Sequence, residues 1–254
     1  MKGAETETTI VYLVKGHPAN ATLKYDQLFG PELKHIDHYT LSQSGNSDEA
    51  IKTYNKAIEL NPRDSNAWVS KGRALSDVGK SDEAIKAYDT AIEINPQNSI
   101  AWEGKGLALD SLNKYDEALK AYDKAIEINP QDSLAWEGKG FALNKLNRSD
   151  EAITAFDKAI EINPQDSLAL EGKGIAQIGL NRSDEAVTAF EKAIEINPQY
   201  SDAWYYKGLT LYRLSKYEDA IKALDKAIEL NPQDSKAWNA KETVSRYYKG
   251  DLSK

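Results

Sequence analysis

Acidic side chains at Glu103, Glu137 and Glu171 recur at one constant interval. Carboxylates repeated in that way can grip basic side chains of another molecule, and they can equally stand in water as the polar face of a helix. Acid–base catalysis needs such groups brought to one reacting atom, whereas the carboxylates of this chain recur with its repeat, as solvated faces do. The three histidines are His17, His35 and His38. A helix would put His35 and His38 on one face, where a metal could bind. No third ligand is fixed, and coincidence is the stronger account. There is no cysteine, which removes disulfides, thiolate metal sites and a cysteine nucleophile together. Neither a glycine-rich phosphate loop nor a Ser/His/Asp constellation is present. The expectation is a protein that is not an enzyme and carries no metal or cofactor.

Composition narrows the partners. A net charge of −8 argues against nucleic acid and anionic lipid, since both are held by basic patches that displace counterions. No run approaches the roughly 20 apolar residues of a membrane span. The start Met-Lys-Gly-Ala-Glu-Thr-Glu carries acids ahead of only a short apolar patch, Ile10 to Val14, so a secretory signal is not expected and the cytoplasm is. Asn147-Arg-Ser and Asn181-Arg-Ser fit glycosylation acceptors, but both fall in a recurrent turn and are read as turns.

The elements that position these side chains follow from a period. Asn-Pro pairs stand at 61–62, 95–96, 129–130, 163–164, 197–198 and 231–232, always equally spaced. Self-similarity at that interval implies stacked helix pairs, each burying an apolar face on its neighbours. Five full units are expected at 65–98, 99–132, 133–166, 167–200 and 201–234. A degenerate unit at 31–64 precedes them, with Lys34 and His38 where later units carry Trp and Gly, and a capping helix and tail at 235–254 follow. Residues 1–30 are unlike the rest: Thr8 to Val14 is a β-branched run and Ala21 to Tyr25 could pair with it, which suggests a hairpin or a mobile segment.

Within each unit a first helix of about fourteen residues is expected, then a short turn, then a second helix. The second helix must stop at Asn-Pro, because proline lacks the amide donor and disfavours helical geometry in the residue before it. Asp or Asn before Ser, as at Asp132-Ser133 and Asp166-Ser167, offers a side-chain oxygen to cap the next helix. The acidic pair opening each second helix sits at the positive end of its dipole.

These units resemble the tetratricopeptide repeat. The unit at Ser133 carries the motif as Trp136, Lys139-Gly140, Leu143, Ala152, Phe156, Ala159 and Pro164, and the unit at Ser99 as Trp102, Lys105-Gly106, Leu109, Ala118, Tyr122, Ala125 and Pro130. The departures are Lys where Leu is usual, at Lys71, Lys105, Lys139, Lys173 and Lys207, and Leu170 for Trp with Gln177 for Leu in the unit at Ser167. The resemblance implies an all-α fold, a right-handed superhelical solenoid of antiparallel helix pairs. Gly72, Gly106, Gly140, Gly174 and Gly208 are expected to let helix one approach helix two at Ala84, Ala118, Ala152, Ala186 and Ala220, while Tyr88, Tyr122, Phe156 and Phe190 fill the space between units. The recurrent Lys is expected to pack its stem and send its ammonium outward.

At about 100° per residue, one side of helix one carries Leu134, Glu137, Phe141 and Asn144 in the unit at Ser133. The same side carries Ile100, Glu103, Leu107 and Asp110 one unit earlier, Leu168, Glu171, Ile175 and Ile178 one unit later, and Asp202, Tyr205, Leu209 and Tyr212 after that. Two readings compete: these residues touch only the next first helix, or they line a groove. In tetratricopeptide proteins the first helices line the inner surface, which implies the groove, and the two readings are compatible. Some members hold a chaperone's C-terminal carboxylate with a basic and Asn clamp, but here Glu103, Glu137 and Glu171 stand where cations would be needed. The expected function is a scaffold binding a protein or peptide with apolar anchors and basic residues, as a monomer or weak homo-oligomer. The alternative is a structural module that associates through its N-terminal segment or an open repeat end.

Overall fold

The computed structural model describes residues 47–251. The expected hairpin within 1–30, the three histidines and the first half of the degenerate unit lie outside the described residues. Twelve helices and no strand are found among those described: α1 Ser47–Leu60, α2 Ser65–Asp77, α3 Ser81–Ile94, α4 Ser99–Ser111, α5 Tyr115–Ile128, α6 Ser133–Lys145, α7 Ser149–Ile162, α8 Ser167–Gly179, α9 Ser183–Ile196, α10 Ser201–Arg213, α11 Tyr217–Leu230 and α12 Ser235–Asp251. The protein is an all-α repeat fold.

The ends of the helices are set by local chemistry. Each second helix stops at the residue before Asn-Pro, and the next first helix is capped from the side chain ahead of it. The Asp64 carboxylate accepts from the Asn66 amide at 2.9 Å, Asp132 from Ala135 at 3.2 Å and Asp166 from Ala169 at 2.9 Å. Asn98 does the same for Ala101 at 3.3 Å. Tyr200, at the equivalent position before α10, makes no side-chain cap. Between helix one and helix two the chain reverses through one left-handed residue. That residue is Gly79 at φ 76°, Asn113 at 59°, Asn147 at 58°, Asn181 at 59° or Ser215 at 59°. Gly and Asn tolerate this region and explain the turn chemistry.

The chain divides into two compact units between Ala108 and Leu109, within α4. In the first, α1 packs on α2 and α2 on α3. Its core centres on the buried Tyr54 and Tyr88. In the second, each helix from α5 to α12 packs on the next along the chain, and first helices also touch one another, α6 on α8, α8 on α10 and α10 on α12. Alternation of that kind is how each pair hides an apolar stripe it could not bury alone.

The glycines have a more specific task than the sequence suggested. A Cβ on Gly140 would lie 2.7 Å from Phe156 Cε1, and one on Gly172 2.3 Å from Phe156 Cζ. The ring of α7 therefore enters two notches, one in its own first helix and one in the first helix of the following pair. Tyr88 fits Gly72 at 2.7 Å and Gly104 at 2.5 Å in the same way, and Tyr122 fits Gly138 at 2.5 Å. The ring faces the glycine where an alanine contact was expected, because the aromatic is long enough to reach the helix axis and the alanine is not. Burying a ring of this size contributes about 1.5–3 kcal/mol. The notch also permits close van der Waals contact around it.

Candidate protein-binding face on the first helices

The predicted stripe separates by depth. Ile100 and Leu107 are exposed in the first unit, and Leu134 and Leu168 are 55% and 48% exposed in the second. Asp110, Glu137, Phe141, Asn144, Ile175, Ile178, Tyr205, Leu209 and Tyr212 are half-buried, and Asp202 is exposed. Glu103 and Glu171 retain only 6% and 7% of their surface. The expectation of an open row of acids is corrected on this point: these two carboxyls are largely buried, Glu103 beside Arg73 and Glu171 beside the Tyr200 hydroxyl.

Packing explains the half-buried members. The Phe141 ring meets Phe156 edge-on with centroids 5.0 Å apart, and the Asn144 side-chain amide donates to the Gly172 carbonyl at 2.9 Å. Both therefore tie α6 to α7 and α8 while leaving part of their surface to solvent. Tyr205 packs against Ala227, Ile228 and Ala237, and Tyr212 lies 6.0 Å from Tyr217 and 5.6 Å from Tyr247. Contact between first helices and an open face coexist along the same stripe.

Electrostatics distinguishes the buried acids. In the first unit Glu103 has an arginine beside it, Arg73 Nη2 standing 3.9 Å from Glu103 Oε2. In the second, Glu171 accepts a hydrogen bond from the Tyr200 hydroxyl. Burial, with a smaller push from Asp202, raises the Glu171 carboxyl to about 7. Burial also raises Asp110 above the ordinary carboxylate range, against the pull of Lys145.

Two recurrent arrangements escaped the sequence reading. The lysine that replaces the family's leucine does not simply point outward: Lys139 Nζ lies 5.3 Å from the centre of the Trp136 ring and 2.6 Å from Asp123 Oδ1 of the preceding helix. Lys105 with Asp89 and Lys173 with Asp157 repeat the ion pair at 2.6 Å, and Lys241 with Asp225 at 2.5 Å. The signal was present as an acid at one constant distance ahead of each of these lysines. Each repeat tryptophan also donates its indole N–H to a proline carbonyl shortly before it, as Trp136 does to Pro130 at 3.0 Å and Trp204 to Pro198 at 3.1 Å. A recess beside Trp136, lined by Pro130, Gln131, Lys158, Glu161 and Ile162, contains no residue of the stripe. No group of three or more metal-ligating side chains occurs among the described residues, and none of their helices is long and apolar enough to cross a membrane.

Notched first helices, ring-bearing second helices and Asn-Pro closures define a class, and the chain belongs to the tetratricopeptide-repeat family. The family model matches residues 39–98, 70–133, 105–167 and 172–235. Proteins of this family generally mediate protein–protein interaction, and the fold is typically a non-catalytic module. Among solved structures, YrrB, described as a TPR protein with an unusual peptide-binding site, is 29% identical, with 76% of this chain and 100% of that chain covered and a TM-score of 0.61. MamA from Desulfovibrio magneticus RS-1 is 22% identical over 67% of this chain and 97% of its own, with a TM-score of 0.61. The Cut9–Hcn1 assembly of the APC/C gives 21% identity over 91% of this chain and 46% of that chain, with a TM-score of 0.73. The last two likenesses concern the fold alone. No curated protein matches the chain.

Proposed function

We propose that the protein is a non-catalytic scaffold whose first helices bind a segment of another protein, one that presents apolar anchors and basic side chains. The observation that carries this reading is the pair Leu134 and Leu168, large apolar residues at one repeat position, both about half exposed on touching helices α6 and α8 beside the acidic Glu137. Isolated surface leucines are ordinary, but a register-matched pair next to a carboxylate suits a ligand with alternating apolar and cationic groups. The peptide-binding description of YrrB supports the same reading. A net charge of −8 makes nucleic acid a poor alternative.

The test is retention of a partner from the native extract by the intact chain. The double variant Leu134→Asp, Leu168→Asp should lose that partner, whereas Glu161→Lys, at an exposed position of α7 outside the stripe, should keep it. Equal retention by wild type and the double variant would overturn the reading.

A further inference from the structure

Charge pairing inside the molecule points to one particular place on this face. Among the described residues no arginine or lysine lies within salt-bridge distance of Glu171, although the carboxyl keeps only 7% of its surface. The cations at neighbouring repeat positions are committed elsewhere: Lys173 to Asp157 at 2.6 Å and Lys207 to Glu191 at 2.9 Å. Glu171 is surrounded instead by aromatic and acidic groups. Tyr200 donates its hydroxyl proton to the carboxyl. Asp202 adds a second negative charge nearby. Tyr206, raised by burial and then by the Glu171 charge, stacks on Phe190 at 6.0 Å and meets Tyr205 edge-on at 5.2 Å. Two acids with tyrosine faces beside them are the surroundings in which a guanidinium is stabilised both by charge and by the ring quadrupole.

The repeat itself supplies a precedent. Glu103 occupies the same repeat position as Glu171, and its neighbour is the guanidinium of Arg73 in the preceding first helix, at 3.9 Å. At the position that corresponds to Arg73, the first helix ahead of Glu171 carries Phe141. One carboxylate has been given its cation by the chain, and the other has a hydrocarbon ring where that cation would originate. A buried carboxylate is costly to keep ionised alone, and a hydrogen-bonded partner of opposite charge offsets that cost.

We propose that Glu171, with Asp202, Tyr205 and Tyr206, forms a subsite for a single arginine side chain of the bound segment. The subsite deepens the reading given above and rests on it. It places the arginine one helical turn from the Leu168 anchor, so the ligand carries an apolar residue and an arginine as close neighbours.

Selection from a random twelve-residue peptide library displayed on phage, against the immobilised full chain, tests both ideas separately. On wild type the recovered peptides should be enriched in arginine next to an apolar residue, and N-acetylarginine amide should elute them where N-acetylnorleucine amide does not. On Glu171→Gln, which can still accept from Tyr200, the arginine enrichment should vanish, and a wild-type-selected peptide should bind about tenfold or more weakly, the size of a lost charge-assisted hydrogen bond. Elution by the free arginine amide needs no substitution and so holds even if the variant folds poorly. Peptides recovered without arginine enrichment, or with the same enrichment on Glu171→Gln, would overturn the subsite and leave the groove standing. Failure to recover any peptide whose binding depends on Leu134 and Leu168 would overturn both.

Discussion

The Tyr200 hydroxyl donates a hydrogen bond to the Glu171 carboxyl, joining the residue before α10 to the middle of α8. Tyr200 gives up the capping role of its counterparts Asp132 and Asp166 to make this bond. A helix start is left less well satisfied, and a buried acid gains a partner that is neutral.

The first prediction concerns pH. The glutamate titrates near 4.5 in its ordinary state and at about 7 in the folded protein, mainly through burial. The folded state thus holds the proton more tightly than the unfolded chain. The stabilisation from this group is complete below 4.5 and is lost as pH climbs through about 7. Urea midpoints of wild type minus those of Glu171→Gln should therefore fall between pH 5 and pH 8, bounds set on either side of about 7 by linkage. A difference that stays level would show that the carboxyl is already ionised across the range.

A second prediction comes from Gln177. It is 4% exposed where Leu75, Leu143 and Leu211 fill the core, and its side-chain oxygen has no hydrogen-bond partner. Gln177→Leu should raise stability by about 1–2 kcal/mol, since an unsatisfied buried carbonyl carries a penalty of that order. Thermal unfolding reads the change directly.

The same pair of helices lacks a second support. Leu170 has no side-chain N–H to offer Pro164, whereas Trp136 and Trp204 each fix the equivalent carbonyl. Amide exchange in α8 and α9 should be faster than in α6 and α7. Trp136→Phe, which deletes one such bond, should lower stability by about 1 kcal/mol and bring exchange in α6 toward that of α8.

Glycine substitutions should divide sharply. Gly172→Ala puts a methyl 2.3 Å from the Phe156 ring, with Phe141 a further 3.0 Å neighbour, so a core aromatic held between helices has to move. The expected loss is about 1–3 kcal/mol or more. Gly179→Ala meets only the Ser149 hydroxyl at 2.8 Å, the free end of a small side chain. There the better helix propensity of alanine should prevail, giving a change between zero and about 1 kcal/mol in favour of folding. Chemical denaturation of both variants separates a ring notch from a merely flexible residue.

Much of the fold was legible because its determinants are local and repeated. Asn-Pro closures, Asp caps and left-handed Asn turns act within a few residues of themselves, so the pattern of Asn129-Pro130 or Asp166-Ser167 is enough to place a helix end. The ring notches were half legible: Gly140 was recognised, but Gly138 and Gly172 were not, since their partner ring belongs to the preceding pair. Depth was not legible at all. Glu137 and Glu171 share the Glu-Gly-Lys-Gly stretch of their own helices, yet Glu171 is the enclosed one and meets the Tyr200 hydroxyl of the following pair. The lysine bridge to the preceding acid left a trace in the constant spacing of the two residues, but its contact spans two repeats and so was missed.

Tyr122 and Phe156 seat in glycine notches at one fixed place, so the joints from α5 to α6 and from α7 to α8 share a common gauge, whereas Phe190 meets Tyr206 at the corresponding position of α10. Excising residues 133–166 would bring Tyr122 to Gly172 at the spacing Gly138 now provides. That one helix pair can thus be removed or repeated with no new interlocking surface to invent, so the reach changes while the fit does not.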